Sequence, residues 1–134
     1  MIPIQILDDS KQPTTDFING RPLVKVKAWI NGDLVIDDGW GLVDPGSRHS
    51  AVVADKIDAN EPEGHVPGRT TSGENLTGIF RIAMLQIDQF RQVPVFLTLM
   101  PKDTPFDVLI GRDALQHCNV VFDHPSKTYT LDMP

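Results

Sequence analysis

Two acidic segments of the chain carry the residues with the clearest chemical potential. In the first, an apolar strand, residues 41–43, leads directly into Asp44, which is followed by a glycine-containing turn and a second apolar run, residues 51–53. This order places a carboxylate, a group that can accept and return protons, at a strand end within an otherwise apolar wall. Because Asp-Pro-Gly is also a common turn sequence, Asp44 alone does not distinguish a site from an ordinary turn.

The second segment is an apolar strand, residues 106–110, which ends in Gly111-Arg112-Asp113 and a short predicted helix, residues 112–117. Together the two segments resemble the retropepsin-like aspartic protease family. In that family a strand reading Leu-Val-Asp-Thr/Ser-Gly-Ala precedes, by some tens of residues, a strand reading Leu-Ile/Leu-Gly-Arg/Met-Asp/Asn and a short helix. The resemblance covers roughly residues 21–131, and two ordered motifs are more specific than either one alone.

The resemblance implies a fold as well as an activity. We expect one all-β domain over residues 1–134, built as a small closed β-barrel of the retropepsin type with one short C-terminal helix and a flap hairpin. A chain of 134 residues has room for one domain and one core, so a two-lobed enzyme with a cleft between its own halves is not expected. The implied activity is that of an aspartic endopeptidase acting on polypeptides.

The chemistry of the family explains why such a site needs two acids. Hydrolysis of an amide by a carboxylate pair requires one ionised acid to take a proton from water and one protonated acid to polarise the carbonyl. One chain supplies one carboxylate, Asp44. The resemblance therefore implies a homodimer in which the two copies of Asp44 meet across a two-fold axis. It implies no cofactor and no metal.

The resemblance also assigns roles to residues around Asp44. The active-site loop continues through Pro45, Gly46, Ser47 and Arg48. Gly111, Arg112 and Asp113 support that loop. The flap residues expected to contact substrate are Thr71, Ser72, Gly73 and Glu74. Gly46 would allow the two backbones to approach at the axis, and Gly111 would let its strand pass close behind the aspartate loop, although both glycines are also ordinary in turns and at strand ends.

The first departure from the family pattern is Pro45, which stands where the family has Thr or Ser. In the family that hydroxyl and its backbone N–H bond across the two-fold axis to the facing loop, and proline has neither group. The restricted φ of proline partly compensates by stiffening the turn. Pro45 therefore leaves two hypotheses open: an active aspartic endopeptidase, or a weak or inactive retropepsin-like module for peptide binding or self-association.

The second departure is Arg48, because retroviral members carry an acid at this position that pairs with the arginine of the Gly-Arg motif. The same pairing here would place Arg48 beside Arg112, and two positive charges repel each other. Asp113 would then accept one or both arginines, which predicts one ionic cluster beneath the aspartate loop. The alternative is that these three residues are solvated surface charges.

Other candidate chemistries are weaker. Asp37-Asp38-Gly39 has the same Asp-x-Gly shape but lacks the small polar residues that follow, so we interpret it as a turn between strands. The four histidines show no metal-ligand spacing. Cys118 lies next to His117, but neighbouring residues point in different directions, so a buried, inert cysteine is the preferred interpretation.

Periodicity supports a strand-rich fold. Residues 23–30 alternate apolar and other side chains before Asn31-Gly32, a strong hairpin signal. Residues 79–87 and 93–99 predict a second hairpin. The terminal segments, residues 2–6 and 127–131, also predict strands, and the resemblance implies that these interleave with those of a second copy in a shared sheet.

Composition excludes several function classes. A net charge of −6 and a pI near 5.0 argue against nucleic acid as a partner. A single cysteine permits no internal disulfide, and the first residues have neither the basic start nor the apolar stretch of a signal peptide. We therefore expect cytoplasmic residence and no association with a membrane.

Overall fold

The computed structural model describes residues 1–53, 64–69 and 75–134, and for residues 64–69 and 75–80 it describes the backbone alone. The strands in these ranges are β1 Ile2–Pro3, β2 Gln5–Leu7, β3 Arg21–Ile30, β4 Asp33–Val43, β5 Ser50–Val53, β6 Gly64–Arg69, β7 Asn75–Ile87, β8 Val93–Met100, β9 Val108–Ile110, β10 Asn119–Asp123 and β11 Thr128–Asp132. The described helix, α1, is Arg112–Leu115, two residues shorter than the sequence predicted.

Six of these strands form a closed barrel. The hydrogen-bonded order is β3-β4-β9-β5-β8-β7, and antiparallel pairing of β3 with β7 closes the ring. Their inward side chains, with others from the helix and termini, form one continuous apolar core in which Val52, Leu85, Ile87, Val108 and Ile110 are fully buried. The predicted all-β closed barrel is confirmed.

The β3–β4 hairpin follows from its turn residues. Asn31 and Gly32 have φ values of 53° and 81°, the left-handed region that asparagine and glycine tolerate best. Ile30 and Asp33 pair directly on either side of them, so the connection has two residues. The second predicted hairpin is also present, since β7 pairs antiparallel with β8 and Leu85 lies opposite Val93.

The pairing of β9 with β4 and β5 determines where the candidate site lies. β9 pairs parallel with β4 on one edge and antiparallel with β5 on the other, so it lies between two strands that are near neighbours in sequence. The loop that joins β4 to β5, residues 44–49, therefore lies at the C-terminal end of β9. Two distant parts of the chain, about 65 residues apart in sequence, meet there.

The terminal strands pair with each other within the chain. β11 pairs with β1 on one edge and with β10 on the other, both antiparallel. Among the described strands, the outer edges of β1 and β10 are left unpaired in this three-stranded sheet. Interleaving of these strands with those of a second copy stays a prediction.

β6 and the first part of β7 extend the sheet beyond the barrel as an antiparallel hairpin, with Gly64 opposite Phe80 and Arg69 opposite Asn75. The predicted flap residues Thr71, Ser72, Gly73 and Glu74 lie outside the described residues. No helix in the described ranges is both long enough and apolar enough to cross a membrane.

Candidate active site

Asp44 lies where β4 leaves the barrel wall. Its backbone N–H donates to the carbonyl oxygen of Ile110 at 3.0 Å, which continues the β4–β9 pairing by one residue. Its side chain is half-buried, and the backbone N–H of Gly46 donates to Asp44 Oδ1 at 3.0 Å. This bond holds one carboxylate oxygen against the loop.

The residues after Asp44 form a tight turn. The backbone N–H of Ser47 donates to the carbonyl oxygen of Asp44 at 3.2 Å, which places Pro45 and Gly46 in the two central positions. Proline suits the first of these because its φ is already near −65° and its missing N–H is not needed there. Pro45 and Gly46 are both exposed, so the tip of the loop faces away from its own chain.

Gly46 and Gly111 have different surroundings. Among the described atoms, a Cβ at Gly46 would meet Asp44 Oδ1 alone within 4 Å, at 3.1 Å. A Cβ at Gly111 would lie 2.5 Å from the carbonyl carbon and oxygen of His49 and 2.9 Å from the nitrogen of Ser50. The absence of a side chain at 111 therefore permits the close passage of β9 behind the aspartate loop, whereas the described neighbour of Gly46 is the end of one side chain.

Ser50 closes the base of the loop, a role that sequence reasoning did not assign. It is fully buried, and its hydroxyl donates to Asp113 Oδ1 at 2.7 Å while it accepts the backbone N–H of Gly111 at 3.0 Å. Its backbone N–H donates to Asp113 Oδ2 at 3.1 Å. The available sequence signal was a hydroxyl residue placed at the first position of an apolar strand, which alone is weak.

The carboxylate of Asp113 accepts four hydrogen bonds. Oδ1 accepts the Ser50 hydroxyl and the backbone N–H of Ala114, the latter at 2.9 Å. Oδ2 accepts the backbone N–H groups of Ser50 and Phe96, the latter at 3.2 Å. An ionised carboxylate offers about four lone-pair sites, so these donors occupy all of them. Asp113 thereby joins the aspartate loop, α1 and β8.

The predicted ionic cluster of Arg48, Arg112 and Asp113 is wrong. Both arginines are exposed, and neither guanidinium lies within ion-pair distance of a carboxylate in the described part of the chain. The backbones do meet, since the N–H of Arg112 donates to the Ser47 carbonyl at 2.8 Å and that of Asp113 to the Arg48 carbonyl at 3.3 Å. The Asp113 carboxylate accepts hydrogen bonds from the Ser50 hydroxyl and from backbone N–H groups, and not from the two arginines.

The remaining loop residues are tied locally. The hydroxyl of Ser47 donates to the carbonyl oxygen of His49 at 2.8 Å. The ring of His49 lies edge-on to Phe96, with centroids 6.1 Å apart, and its Nδ1 is buried without a hydrogen-bond partner among the described atoms. The loop backbone is therefore fixed at both ends, with His49 packed against β8 and Arg48 exposed.

The rival acid segment lies within β4 and not in a turn between strands. Asp37 and Asp38 are exposed. Asp37 Oδ1 lies 3.7 Å from Lys27 Nζ, and Asp38 Oδ2 lies 3.7 Å from Lys25 Nζ. Asp38 has a φ of 55°, and the pairing of β3 with β4 shifts register between Val26 and Ala28. These acids occupy a strand irregularity on the surface of the barrel, away from the β4–β5 loop.

The other chemical candidates do not form a second site in the described part of the molecule. Burial raises the pKa of the Cys118 thiol, with smaller and opposing contributions from Arg91 and Asp132, so the reactive thiolate is disfavoured at neutral pH. No three His, Cys, Asp or Glu side chains among the described residues are grouped as metal ligands. An open cavity of about 490 Å³ beside Asn31 and Gly32 lies at the opposite end of β4 from Asp44, roughly 40 Å along the extended strand.

No protein-family model and no curated protein matches the sequence. Among solved structures, a retropepsin-like aspartic protease from Rickettsia conorii is similar, with a TM-score of 0.51 and 15% identity over 85% of this chain and 82% of that one. The protease of simian foamy virus has a TM-score of 0.46 and 16% identity over 69% and 91% of the two chains. The retroviral protease-like domain of Ddi1 from Leishmania major has a TM-score of 0.42 and 16% identity over 82% and 88%.

The first of these similarities defines the class of fold. The chain has a retropepsin-like fold, as its two sequence motifs predicted. At 15% identity the likeness concerns the path of the backbone, and the chemistry must be argued from the residues of this chain.

Proposed function

We propose that the chain is an aspartic endopeptidase that works as a homodimer, with water activated between two copies of Asp44. The observation that supports this proposal is the setting of Asp44. A half-buried carboxylate stands at the end of a barrel strand, beside a turn whose two central residues, Pro45 and Gly46, are exposed. A surface of this kind can face itself across a two-fold axis, which would bring two carboxylates together.

The chemistry then follows from the behaviour of two neighbouring carboxyl groups. Close like charges disfavour double ionisation, so the pair shares one proton over an intermediate range of pH. The ionised Asp44 takes a proton from water as the water oxygen attacks the carbonyl carbon, and the protonated Asp44 donates to the carbonyl oxygen. Collapse of the tetrahedral intermediate breaks the C–N bond, and a proton passes from the pair to the leaving amine.

Pro45 supports a second candidate, a retropepsin-like module that binds an extended peptide or self-associates without catalysis. Pro45 occupies an exposed position of the turn and has neither an N–H nor a hydroxyl to offer a facing loop. A dimer joined without those bonds would hold its two Asp44 side chains less firmly. The two candidates therefore share a fold and a peptide-binding cleft and differ in the alignment of the acids.

Digestion of an unbiased peptide library by the wild-type chain and by Asp44→Asn tests the proposal. The wild-type chain should cleave with a bell-shaped dependence on pH, because the pair works only between the loss of its first and second protons. Asp44→Asn should lose all cleavage and stay folded, since the asparagine oxygen can still accept the N–H of Gly46. Cleavage that persists in Asp44→Asn would show that another group is responsible.

The oligomeric state is a separate test, measured by sedimentation equilibrium over a range of concentrations. We expect a symmetric dimer in which the Asp44 loops face each other. Disulfide trapping with Ser47→Cys, in a Cys118→Ala background, reports whether the loops meet. A monomer at high concentration, or a dimer that Ser47→Cys does not trap, contradicts the shared site.

A further inference from the structure

We infer that the candidate cleft selects acidic peptides, and that Arg48 and Arg112 bind the carboxylates of Asp or Glu side chains on either side of the bond that faces Asp44. This inference deepens the proposed function and rests on it for the position of the peptide. It concerns the class of substrate, which neither the fold nor the chemistry of Asp44 specifies.

The first observation is where the two arginines lie. Backbone hydrogen bonds join the Arg112 nitrogen to the Ser47 carbonyl and the Asp113 nitrogen to the Arg48 carbonyl, so the two arginines lie on adjacent backbones. Arg48 follows Asp44 by four residues, which limits the separation of their Cα atoms to roughly 14 Å. Both side chains are exposed at the loop that carries Asp44.

The second observation is that the nearest acid is not available to them. The four donors that surround the Asp113 carboxylate occupy its lone pairs, and no other described carboxylate lies within ion-pair distance of either guanidinium. Guanidinium groups bind carboxylates through two parallel hydrogen bonds, and no atom in the described part of the chain accepts a hydrogen bond from either of these two guanidinium groups. They are therefore free to bind an acid from another molecule.

The third observation is a contrast with cations elsewhere. Arg21 pairs with Asp9, and Lys25 and Lys27 lie near Asp38 and Asp37. The protein as a whole has a net charge of −6, so its general field repels acidic peptides. A preference for acids would therefore be local, and this loop is a place where adjacent cations lack a described acidic partner.

The reach of the side chains sets which substrate positions are involved. An extended peptide advances roughly 3.3 Å per residue, so a residue two to four positions from the bond lies within the separation between Asp44 and Arg48. In a symmetric dimer each half of the cleft would carry one such pair of arginines. Acidic side chains on both sides of the bond would then each meet a guanidinium.

Binding measured with Asp44→Asn tests this inference without relying on cleavage. Three pools of fluorescein-labelled peptides differ only in carrying Glu, Gln or Lys two to four positions from the centre, and fluorescence anisotropy gives their affinities. The Glu pool should bind roughly fivefold more tightly than the Gln pool at low salt, as exposed ion pairs allow. The two affinities should converge at 1 M salt, where charges are screened within about 3 Å.

The variant Arg48→Gln/Arg112→Gln, in the same Asp44→Asn background, should bind the Glu pool no better than the Gln pool. Its melting temperature should not fall, because both side chains are exposed. The matched control is Lys102→Gln, which removes an exposed cation. Lys102 follows the C-terminal end of β8, which lies beside Val53 and not beside Ser50 at the base of the aspartate loop. That control should keep the fivefold preference.

Equal binding of the Glu and Gln pools, including no binding of either, overturns the inference, and so does a preference that survives in the double arginine variant. Cleavage by the wild-type chain separates this failure from that of the proposed function. If the wild-type chain cleaves both pools with the same KM, the protease proposal stands and the acidic preference falls. If it cleaves nothing while Asp44→Asn prefers the Glu pool, the preference stands and the protease proposal falls.

Discussion

The base and the tip of the aspartate loop are built differently. At the base, Ser50 is fully buried, Gly111 lies against the backbone of His49, and Asp113 accepts hydrogen bonds from three segments of the chain. At the tip, Pro45 and Gly46 are exposed, and the described bonds across the turn run from the N–H groups of Gly46 and Ser47 back to Asp44.

The base and the tip therefore relate to two different requirements of the candidate site, the position of Asp44 and its alignment. The base determines where Asp44 leaves the barrel, and one chain meets that requirement alone. In the proposed dimer, the tip would determine how Asp44 is aligned with a second carboxylate, and the described contacts of one chain do not address it. Substitutions at the base should therefore change the free energy of unfolding, and substitutions at the tip should change association and activity.

Asp113→Ala should have the largest effect on the base. It removes one hydrogen-bond acceptor from the buried Ser50 hydroxyl and from three backbone N–H groups, and we expect the free energy of unfolding to fall by about 3 kcal/mol. Urea denaturation followed by circular dichroism measures this. The matched control is Asp103→Ala, which removes an exposed carboxylate from the β8–β9 connection and should cost less than about 0.5 kcal/mol.

Equal losses in Asp113→Ala and Asp103→Ala would contradict the assigned hydrogen bonds. Arg48→Ala sharpens the same comparison. If Asp113 were paired with Arg48, that variant would be destabilised as well, whereas the observed exposure of Arg48 predicts little change.

Gly111→Ala should have the next largest effect. Its new methyl group would lie 2.5 Å from backbone atoms of His49, which cannot move without displacing the loop, and we expect a loss of about 2 kcal/mol. Gly46→Ala is the matched substitution at the tip. Its methyl group would meet only the end of the Asp44 side chain, so unfolding of the monomer should change by less than about 1 kcal/mol. Similar losses at both positions would mean that the tip is as crowded as the base.

The sequence predicted the barrel because its signals are local. Asn31-Gly32 specifies a two-residue turn by backbone conformation alone, and the alternation of residues 23–30 specifies which face is buried. The helix was predicted two residues too long because the chain after Leu115 continues with hydrogen bonds to the third preceding residue, from the N–H of His117 to the Ala114 carbonyl and from that of Cys118 to the Leu115 carbonyl, and not with α-helical bonds.

The contacts of Asp113 were not predicted because they are not local. Its main partner, Ser50, is 63 residues away, and sequence reasoning weighed only the formal charges of nearby arginines. Backbone N–H groups carry no sequence signal, yet three of them bind this carboxylate. Charge pairing was therefore the wrong criterion for a half-buried acid surrounded by backbone donors.

Pro45→Thr should have the smallest effect on the fold and the clearest effect at the tip. The position is exposed and lies in a turn that threonine can enter, so the free energy of unfolding of the monomer should change by less than about 1 kcal/mol. The substitution adds a hydroxyl and a backbone N–H where a facing loop would accept them. Sedimentation equilibrium and peptide hydrolysis, measured on the same samples, should show a tighter dimer and a higher turnover rate together.

The two readouts of Pro45→Thr separate the hypotheses for this chain, because added hydrogen bonds at the tip can act only on association and alignment. A tighter dimer that cleaves no peptide from acidic to neutral pH would favour the non-catalytic module, since the missing bonds would have been restored without effect on chemistry. A wild-type chain that already cleaves as fast as Pro45→Thr would show that other contacts align the two Asp44 side chains. The stiff φ of Pro45 itself would then be the first candidate, and Pro45→Ala, which restores the N–H but removes the ring, should slow cleavage in that case.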